Sequence, residues 1–117
     1  MSSSLELARG LLGHIVTVKI DRPMGSRHPS HGFLYLVNYG YVPGMMAPDG
    51  EELDAYLLGV DQPVECCDGV VVAVIHRRDD DDDKLVVVPE GVTLDDAEIV
   101  AAMAFQERFF ASELLRC

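Results

Sequence analysis

Two apolar segments joined by an acidic run constrain the fold of this chain more than any other feature. Residues 70–75 hold four valines, residues 85–88 hold three, and residues 79–83 between them are five consecutive aspartates. β-branched residues favour strands, and short apolar runs bounded by turn-forming residues are typical of buried strands. The pattern therefore predicts a hairpin of two strands with an acidic turn, and we expect the first strand to be buried on both faces.

Further strands precede this hairpin, and a helix is predicted after it. The additional strands are predicted at residues 15–20, 33–37 and 54–60. Residues 94–115 contain no proline or glycine and repeat apolar residues at helical spacing, after a loose capping box of Thr93 and Asp96. Four or five strands followed by one helix indicate a mainly β protein, a small barrel or curled sheet closed by a C-terminal α-helix.

The size and charge of the chain narrow the class of protein. Its 117 residues fit one domain, which we expect to span residues 1–117. The 20 acidic residues outnumber the 9 lysines and arginines, and the net charge of −11 would repel nucleic acid and anionic membranes. We therefore expect neither as a partner, and the charge instead favours binding of metal cations or of cationic surfaces.

Location and assembly follow from other counts. No apolar run approaches the ~18 residues of a membrane span, and the three cysteines lack C-x-x-C spacing, which suits a reducing compartment. A cytoplasmic location is expected. Large apolar side chains on so small a surface would favour a homo-oligomer; these are Met45, Met46, Phe105, Phe109 and Phe110.

Acidic side chains gather in two segments, residues 49–54 and residues 79–83, the second followed by Lys84. In an extended chain Asp49 and Asp54 lie roughly 16 Å apart, so one ion would reach both only if the chain doubles back. Taken alone, each segment is better explained as a solvated turn. Together on different strands, they would converge on two or more Mg²⁺ ions that activate water and clamp a phosphate. The four histidines lack zinc-ligand spacing and are given no metal role.

Three ordered motifs resemble those of the soluble (family I) inorganic pyrophosphatases. They are Tyr-Leu-Val-Asn-Tyr-Gly-Tyr at residues 35–41, Asp-Gly-Glu-Glu-Leu-Asp at residues 49–54 and Asp-Asp-Lys-Leu-Val-Val-Val-Pro at residues 82–89. The resemblance implies a small OB-like five-stranded β-barrel with a C-terminal α-helix. It also implies Mg²⁺-dependent hydrolysis of the small-molecule substrate pyrophosphate to two phosphates, with several ions bound and Mn²⁺ as an alternative metal.

The resemblance implies roles for individual residues as well. Lys84 and Tyr39 would contact phosphate oxygens, and Glu51 would be the general base, in a position where the family has aspartate. Glutamate accepts a proton as readily, with a reference pKa ~0.4 higher, but its extra methylene shifts the carboxylate. The metal ligands implied are Asp49, Asp54 and Asp82 for the water-activating ion, Asp79 together with Asp82 for further ions, and Asp21 as the family's first acidic residue.

Departures from the family pattern lie mainly on the phosphate side. The family's hairpin before Tyr35, which carries a phosphate-binding arginine, is missing, and Arg27 takes the place of a lysine that precedes it. Arg22 is inserted between Asp21 and the following proline. Phe109 and Phe110 stand where the family's terminal helix supplies Tyr and Lys to the substrate, and their expected role is packing the helix onto the barrel. The residues implied to bind metal therefore match the family pattern better than those implied to bind phosphate.

Three hypotheses of function remain open at this point. The leading one is Mg²⁺-dependent hydrolysis of inorganic pyrophosphate by a metal-activated water. The second keeps this chemistry but acts on another phosphoanhydride or a phosphate ester, because the missing cationic residues would open the site. The third is a non-catalytic barrel that binds metal or a partner, motivated by Glu51 and by Phe109 and Phe110.

Overall fold

The computed structural model describes residues 4–46, 50–77, 83–108 and 111–116. Over these ranges the chain forms two helices and six strands. In chain order these are α1 (Ser4–Gly10), β1 (Ile15–Arg22), β2 (Asn38–Met46), β3 (Glu52–Leu57), β4 (Cys66–Arg77), β5 (Asp83–Val88), α2 (Asp96–Glu107) and β6 (Ser112–Arg116). Neither helix is long and apolar enough to cross a membrane. The predicted mainly β class is confirmed.

Five of these strands close into a barrel. They are hydrogen-bonded in the order β1-β2-β3-β5-β4, and β1 also pairs with β4. β3 and β5 are parallel, and the other neighbours are antiparallel. The 12 residues of β4 let one edge pair with β1 through residues 66–70 and with β6 through residues 73–77. The closed barrel with a following helix confirms the OB-like expectation.

The continuous apolar runs of the central strands are explained by burial on both faces. All six residues of β5 are buried, and successive side chains of a strand point to opposite faces. Leu85 joins an apolar cluster with Ala8 of α1, whereas Val86 joins a second cluster with Ile99 and Met103 of α2. Each helix therefore packs against one of the two clusters.

The helix predicted over residues 94–115 is wrong in extent. α2 ends at Glu107, and residues 112–116 form β6, which pairs with residues 73–77 of β4. Without β6 this edge of β4 would leave its backbone donors and acceptors unpaired, and that pairing outweighs the weak helical preference of a short segment.

The capping box also differs from the prediction. Asp95 is the N-cap of α2: its Oδ1 accepts the N–H of Glu98 at 2.8 Å, and Glu98 Oε1 accepts the N–H of Asp95 at 3.1 Å. Aspartate caps at least as well as threonine, and a glutamate side chain reaches back across three residues. The box therefore forms at Asp95 and not at the predicted Thr93.

The strand predicted over residues 33–37 is wrong, because β2 begins only at Asn38. Residues 25–35 instead form a hairpin-like loop, in which the N–H of Tyr35 donates to the carbonyl of Ser26 at 2.8 Å. The loop's backbone pairs with itself and not with the barrel. The apolar character of this segment serves the packing of aromatic rings beside a cavity.

Gly40 explains why the Asn-Tyr-Gly-Tyr segment contains glycine. A Cβ at this position would lie 1.9 Å from the carbonyl oxygen of Lys19 on the neighbouring strand, far inside van der Waals contact. Only a residue without a side chain lets β2 approach β1 this closely.

The apolar surface predicted from five side chains is only partly present. Phe105 is buried, at 7% exposure, where it packs with α2 and the barrel, so its expected surface position is wrong. Met46 is 52% exposed. Phe109 and Phe110 lie outside the described residues.

Candidate active site

Strand register brings a carboxylate and an ammonium together on the barrel wall. Asp54 of β3 lies opposite Lys84 of the parallel strand β5, and Lys84 Nζ donates to Asp54 Oδ2 at 2.6 Å. The lysine side chain is 4% exposed and that of Asp54 is 38% exposed, so the pair opens to solvent on its acidic side. Lys84 Nζ also lies 5.7 Å from the centre of the Tyr39 ring, within range of a cation–π contact.

Two cavities meet at this pair, and both are lined by Asp21 and Asp54. The smaller, of about 330 Å³, is lined by further acids, Glu51 and Glu52. The larger, of about 480 Å³, is lined by cations and aromatic rings. Its cations are Arg22, Arg77 and Lys84, and its rings are His28, His31, Phe33, Tyr35 and Tyr39. The arrangement separates a carboxylate side from a cationic side, with Asp21 and Asp54 at the boundary.

The donor chemistry of the smaller cavity suits Mg²⁺. Asp21, Glu51 and Asp54 supply hard carboxylate oxygens, which are the ligands that Mg²⁺ prefers. Across the four described ranges, however, no group of three His, Cys, Asp or Glu side chains is close enough to hold one ion. The other predicted ligands, Asp49, Asp79 and Asp82, lie outside the described residues. The ligand types fit, and the complete predicted set stays a prediction.

On the cationic side the structure presents a different arginine from the predicted one. Arg27 Nη1 donates to the carbonyl of Gly32 at 2.6 Å, and Arg27 is not among the residues lining the cavity. Arg22, the residue inserted after Asp21, lines it instead. Burial raises the pKa of Tyr35, and the Arg22 guanidinium beside the hydroxyl opposes that shift. From the sequence, Arg22 was identified only as an insertion between Asp21 and the following proline, with no role assigned to it.

A buried polar network connects α2 with the larger cavity. Arg77 is paired with Glu107 through two hydrogen bonds, of 3.0 Å from Nε and 2.8 Å from Nη2. Glu107 also accepts the hydroxyl of Tyr56, whose pKa is raised by burial and by that carboxylate. Gln106 Nε2 donates to the Tyr56 hydroxyl, and Gln106 Oε1 accepts the hydroxyl of Tyr35 at 2.9 Å. The network therefore runs from the end of α2 to the cavity rim.

None of the contacts in this network was predicted from the sequence. Arg77 and Gln106 both line the cavity. α2 therefore contributes to it directly through Gln106 and indirectly through Glu107, which binds Arg77. A signal was present in the sequence: Gln106 and Glu107 lie in an otherwise apolar stretch of the helix, where a polar pair needs buried partners.

Two further sets of polar contacts, made by Asn38 and by His76, lie close to the residues of the site. Asn38, which is fully buried, accepts the N–H of Met24 at 3.0 Å and that of Val64 at 3.3 Å. It thereby holds two loops against the start of β2. His76 Nδ1 lies 2.6 Å from Asp83 Oδ1, beside Lys84 on β5. Sequence reasoning quoted Asn38 only as part of a motif and assigned no role to His76.

Comparison with known proteins agrees with this architecture. The model of the family described as inorganic pyrophosphatase matches residues 15–110. A search of curated proteins gives no match.

Solved structures of inorganic pyrophosphatases share the fold. The enzyme from Neisseria gonorrhoeae has a TM-score of 0.67 at 22% identity, with 89% of this chain and 83% of that chain covered. The one from Ehrlichia chaffeensis has a TM-score of 0.68 at 18% identity, with 85% and 83% covered. The one from Thermus thermophilus has a TM-score of 0.63 at 17% identity, with 86% and 79% covered. Since the family model spans every strand of the barrel and both cavities, this chain belongs to the inorganic pyrophosphatase family.

Proposed function

We propose that this chain hydrolyses inorganic pyrophosphate to two phosphates in a Mg²⁺-dependent reaction. The proposal rests on family membership, since the family consists of metal-dependent hydrolases of pyrophosphate. The observation that carries it is the meeting of two cavities at Asp21 and Asp54, acidic on one side and cationic on the other. A polyanionic substrate that reacts through bound cations uses both sides.

On the acidic side, Asp21 and Asp54 would hold Mg²⁺ together with Asp49, Asp79 and Asp82. Bound Mg²⁺ lowers the pKa of a coordinated water and neutralises charge on the phosphates. Mn²⁺ accepts the same oxygen ligands and is the alternative metal.

The remaining chemistry belongs to side chains of this chain. Glu51 is exposed at the smaller cavity and would accept the proton of the attacking water. Lys84, Tyr39 and Arg22 face the larger cavity and would stabilise charge on the transferred phosphoryl group and the leaving phosphate. Arg27 stays a predicted substrate contact, although in this structure its guanidinium binds Gly32.

We also propose that the chain acts as one domain, in the cytoplasm and as a homo-oligomer. Cys66 and Cys67 are both free thiols, which agrees with a reducing compartment. Exposed Met46 and Leu36, at 52% and 61%, supply apolar surface for self-association. Light scattering on the purified chain would measure the mass, and a monomer at micromolar concentration would contradict the oligomer.

Phosphate release from pyrophosphate tests the proposed activity. We expect turnover that requires Mg²⁺, disappears with EDTA and falls at least ~100-fold in Asp54→Asn, because that variant loses a charged carboxylate at the junction of the cavities. Asp61→Asn is the matched control, since Asp61 is an exposed acid outside both cavities. Absence of Mg²⁺-dependent turnover in the wild type, or equal rates in both variants, would contradict the proposal.

A further inference from the structure

One end of the larger cavity is formed by an aromatic wall of His28, His31 and Phe33. The centre of the His28 ring lies 4.6 Å from the centre of the His31 ring and 4.8 Å from that of the Phe33 ring. The His31 and Phe33 rings are nearly parallel, with 4° between their planes. The hydrolysis of pyrophosphate gives this wall no task, because pyrophosphate contains only phosphorus and oxygen.

The aromatic wall is held in place by its own loop and by α2. The N–H of His28 donates to the carbonyl of Phe33 at 2.8 Å, and His28 Nδ1 accepts the N–H groups of Ser30 and His31, both at 3.0 Å. Phe33 packs edge-to-face on Phe105 of α2, with ring centres 5.9 Å apart. The rings are therefore held in position before a ligand binds, and little ordering is needed for a ligand to contact them.

The size of the cavity points in the same direction. Its volume of about 480 Å³ lies within the ~300–1,000 Å³ typical of sites for drug-sized ligands. Arg22 and Lys84 provide the cationic part, where two phosphates would fit, and the aromatic wall provides a planar apolar part. A ligand that fills both parts carries a diphosphate and a flat ring system.

We propose that the same cavity binds a nucleoside diphosphate, with its base stacked on the aromatic wall and its phosphates at Lys84 and Arg22, and hydrolyses its terminal phosphoanhydride. This inference rests on the proposed function, since it uses the same water and the same metal side. The water oxygen forms a bond to the terminal phosphorus, and the bond from that phosphorus to the bridging oxygen breaks. The electron pair leaves with the nucleoside monophosphate, and the proton of the water passes to Glu51 and then to solvent.

Binding of two non-hydrolysable probes tests the recognition step without turnover. In calorimetric titrations with Mg²⁺, we expect α,β-methylene-ADP to bind about 10-fold more tightly than methylenediphosphonate, because stacking of a base on an aromatic ring contributes to that extent. Phe33→Leu and His31→Ala should each reduce this ratio towards one. His31 is exposed, so its variant folds even if Phe33→Leu does not. Leu36→Ala, an exposed apolar residue outside the cavity, is the control and should keep the ratio.

Equal affinity of the wild type for the two probes, or an unchanged ratio in His31→Ala, would overturn the inference. Turnover separates it from the proposed function: we expect AMP and phosphate from ADP as well as phosphate from pyrophosphate. Hydrolysis of pyrophosphate without hydrolysis of ADP would overturn the inference and leave the proposed function standing. If neither is hydrolysed, the proposed function and the hydrolytic part of this inference both fail, and the binding ratio decides whether the wall recognises a base.

Discussion

At the residue scale, Lys84 is the side chain in which fold and chemistry are most closely joined. It is 3% exposed, and a buried ammonium is tolerated only when it is paired. Its 2.6 Å contact with Asp54 supplies a partner. Because Asp54 faces the acidic cavity and Lys84 the cationic one, the pair links the predicted metal side to the predicted phosphate side.

Lys84→Met removes this charge while keeping much of the apolar stem. We expect kcat/KM for pyrophosphate to fall about 100- to 1,000-fold, as when one preorganised donor to a developing negative charge is lost. The chain's other lysine, Lys19, is exposed on β1, and Lys19→Met serves as the matched control. A loss below tenfold in Lys84→Met, or an equal loss in the control, would show that Lys84 does not contact the reacting phosphates.

Glu107, in contrast to Lys84, is a buried charge whose main role is structural. Glu107→Ala leaves the guanidinium of Arg77 buried without the two hydrogen bonds that it makes to this carboxylate. We expect the free energy of unfolding in urea to fall by about 3–5 kcal/mol, the usual cost of removing one partner from a buried ion pair. Exposed Glu90→Ala is the control.

The paired replacement Arg77→Met with Glu107→Leu distinguishes a lost charge partner from lost packing. Since no unpaired charge remains, most of the stability should return. If the double variant is as unstable as Glu107→Ala, the Arg77–Glu107 pair is not the reason for the loss.

At the scale of elements, the close approach of β1 and β2 decides whether the barrel closes. Gly40→Ala would place a Cβ 1.9 Å from backbone, which cannot move away as a flexible side chain could. We expect a loss of stability of about 3 kcal/mol or more, since overpacking against rigid backbone exceeds the usual 1–3 kcal/mol. Gly10→Ala, where a Cβ meets open space, should leave the melting temperature almost unchanged. Equal melting temperatures for both variants would contradict this account.

The elements differ in how far sequence alone could predict them. The strands near residues 70–75 and 85–88 were found because burial leaves an uninterrupted apolar run. It is complete on both faces of β5, whereas Val70 and Val72 of β4 are half-buried. β6 was missed because an edge strand that pairs on one side only stays partly exposed: Leu114 and Leu115 are half-buried, whereas Glu113 and Arg116 are exposed. Such a pattern does not differ clearly from that of a helix end. α1 was missed because its seven residues are too few for a periodic signal.

In the candidate site, too, some residues could be predicted from the sequence and others could not. Asp54 and Lys84 were assigned to one site through short motifs, and the register of β3 and β5 brings them together. Arg22 and the Arg77–Glu107 pair depend on contacts between residues far apart in the chain, which no local pattern contains. A single sequence therefore indicates the chemistry on the barrel strands and omits what the loop and α2 contribute.

At the scale of the whole molecule, the excess of acidic residues is partly concentrated at one cavity. Part of the net charge of −11 lies at the smaller cavity, which Asp21, Glu51, Glu52 and Asp54 line. Such a field attracts cations and disfavours a bare polyanion, so a phosphate substrate would enter as its metal complex. The cationic groups that line the larger cavity would then orient the bound phosphates.

A crystal structure with Mg²⁺ and methylenediphosphonate would show whether the acidic cavity binds the metal while the cationic cavity binds the phosphates. We expect metal ions on the carboxylates of the smaller cavity, with Asp54 among their ligands, and a phosphonate group within hydrogen-bond distance of Lys84 in the larger cavity. Metal ions bound elsewhere, or a phosphonate that does not approach Lys84, would contradict this expectation.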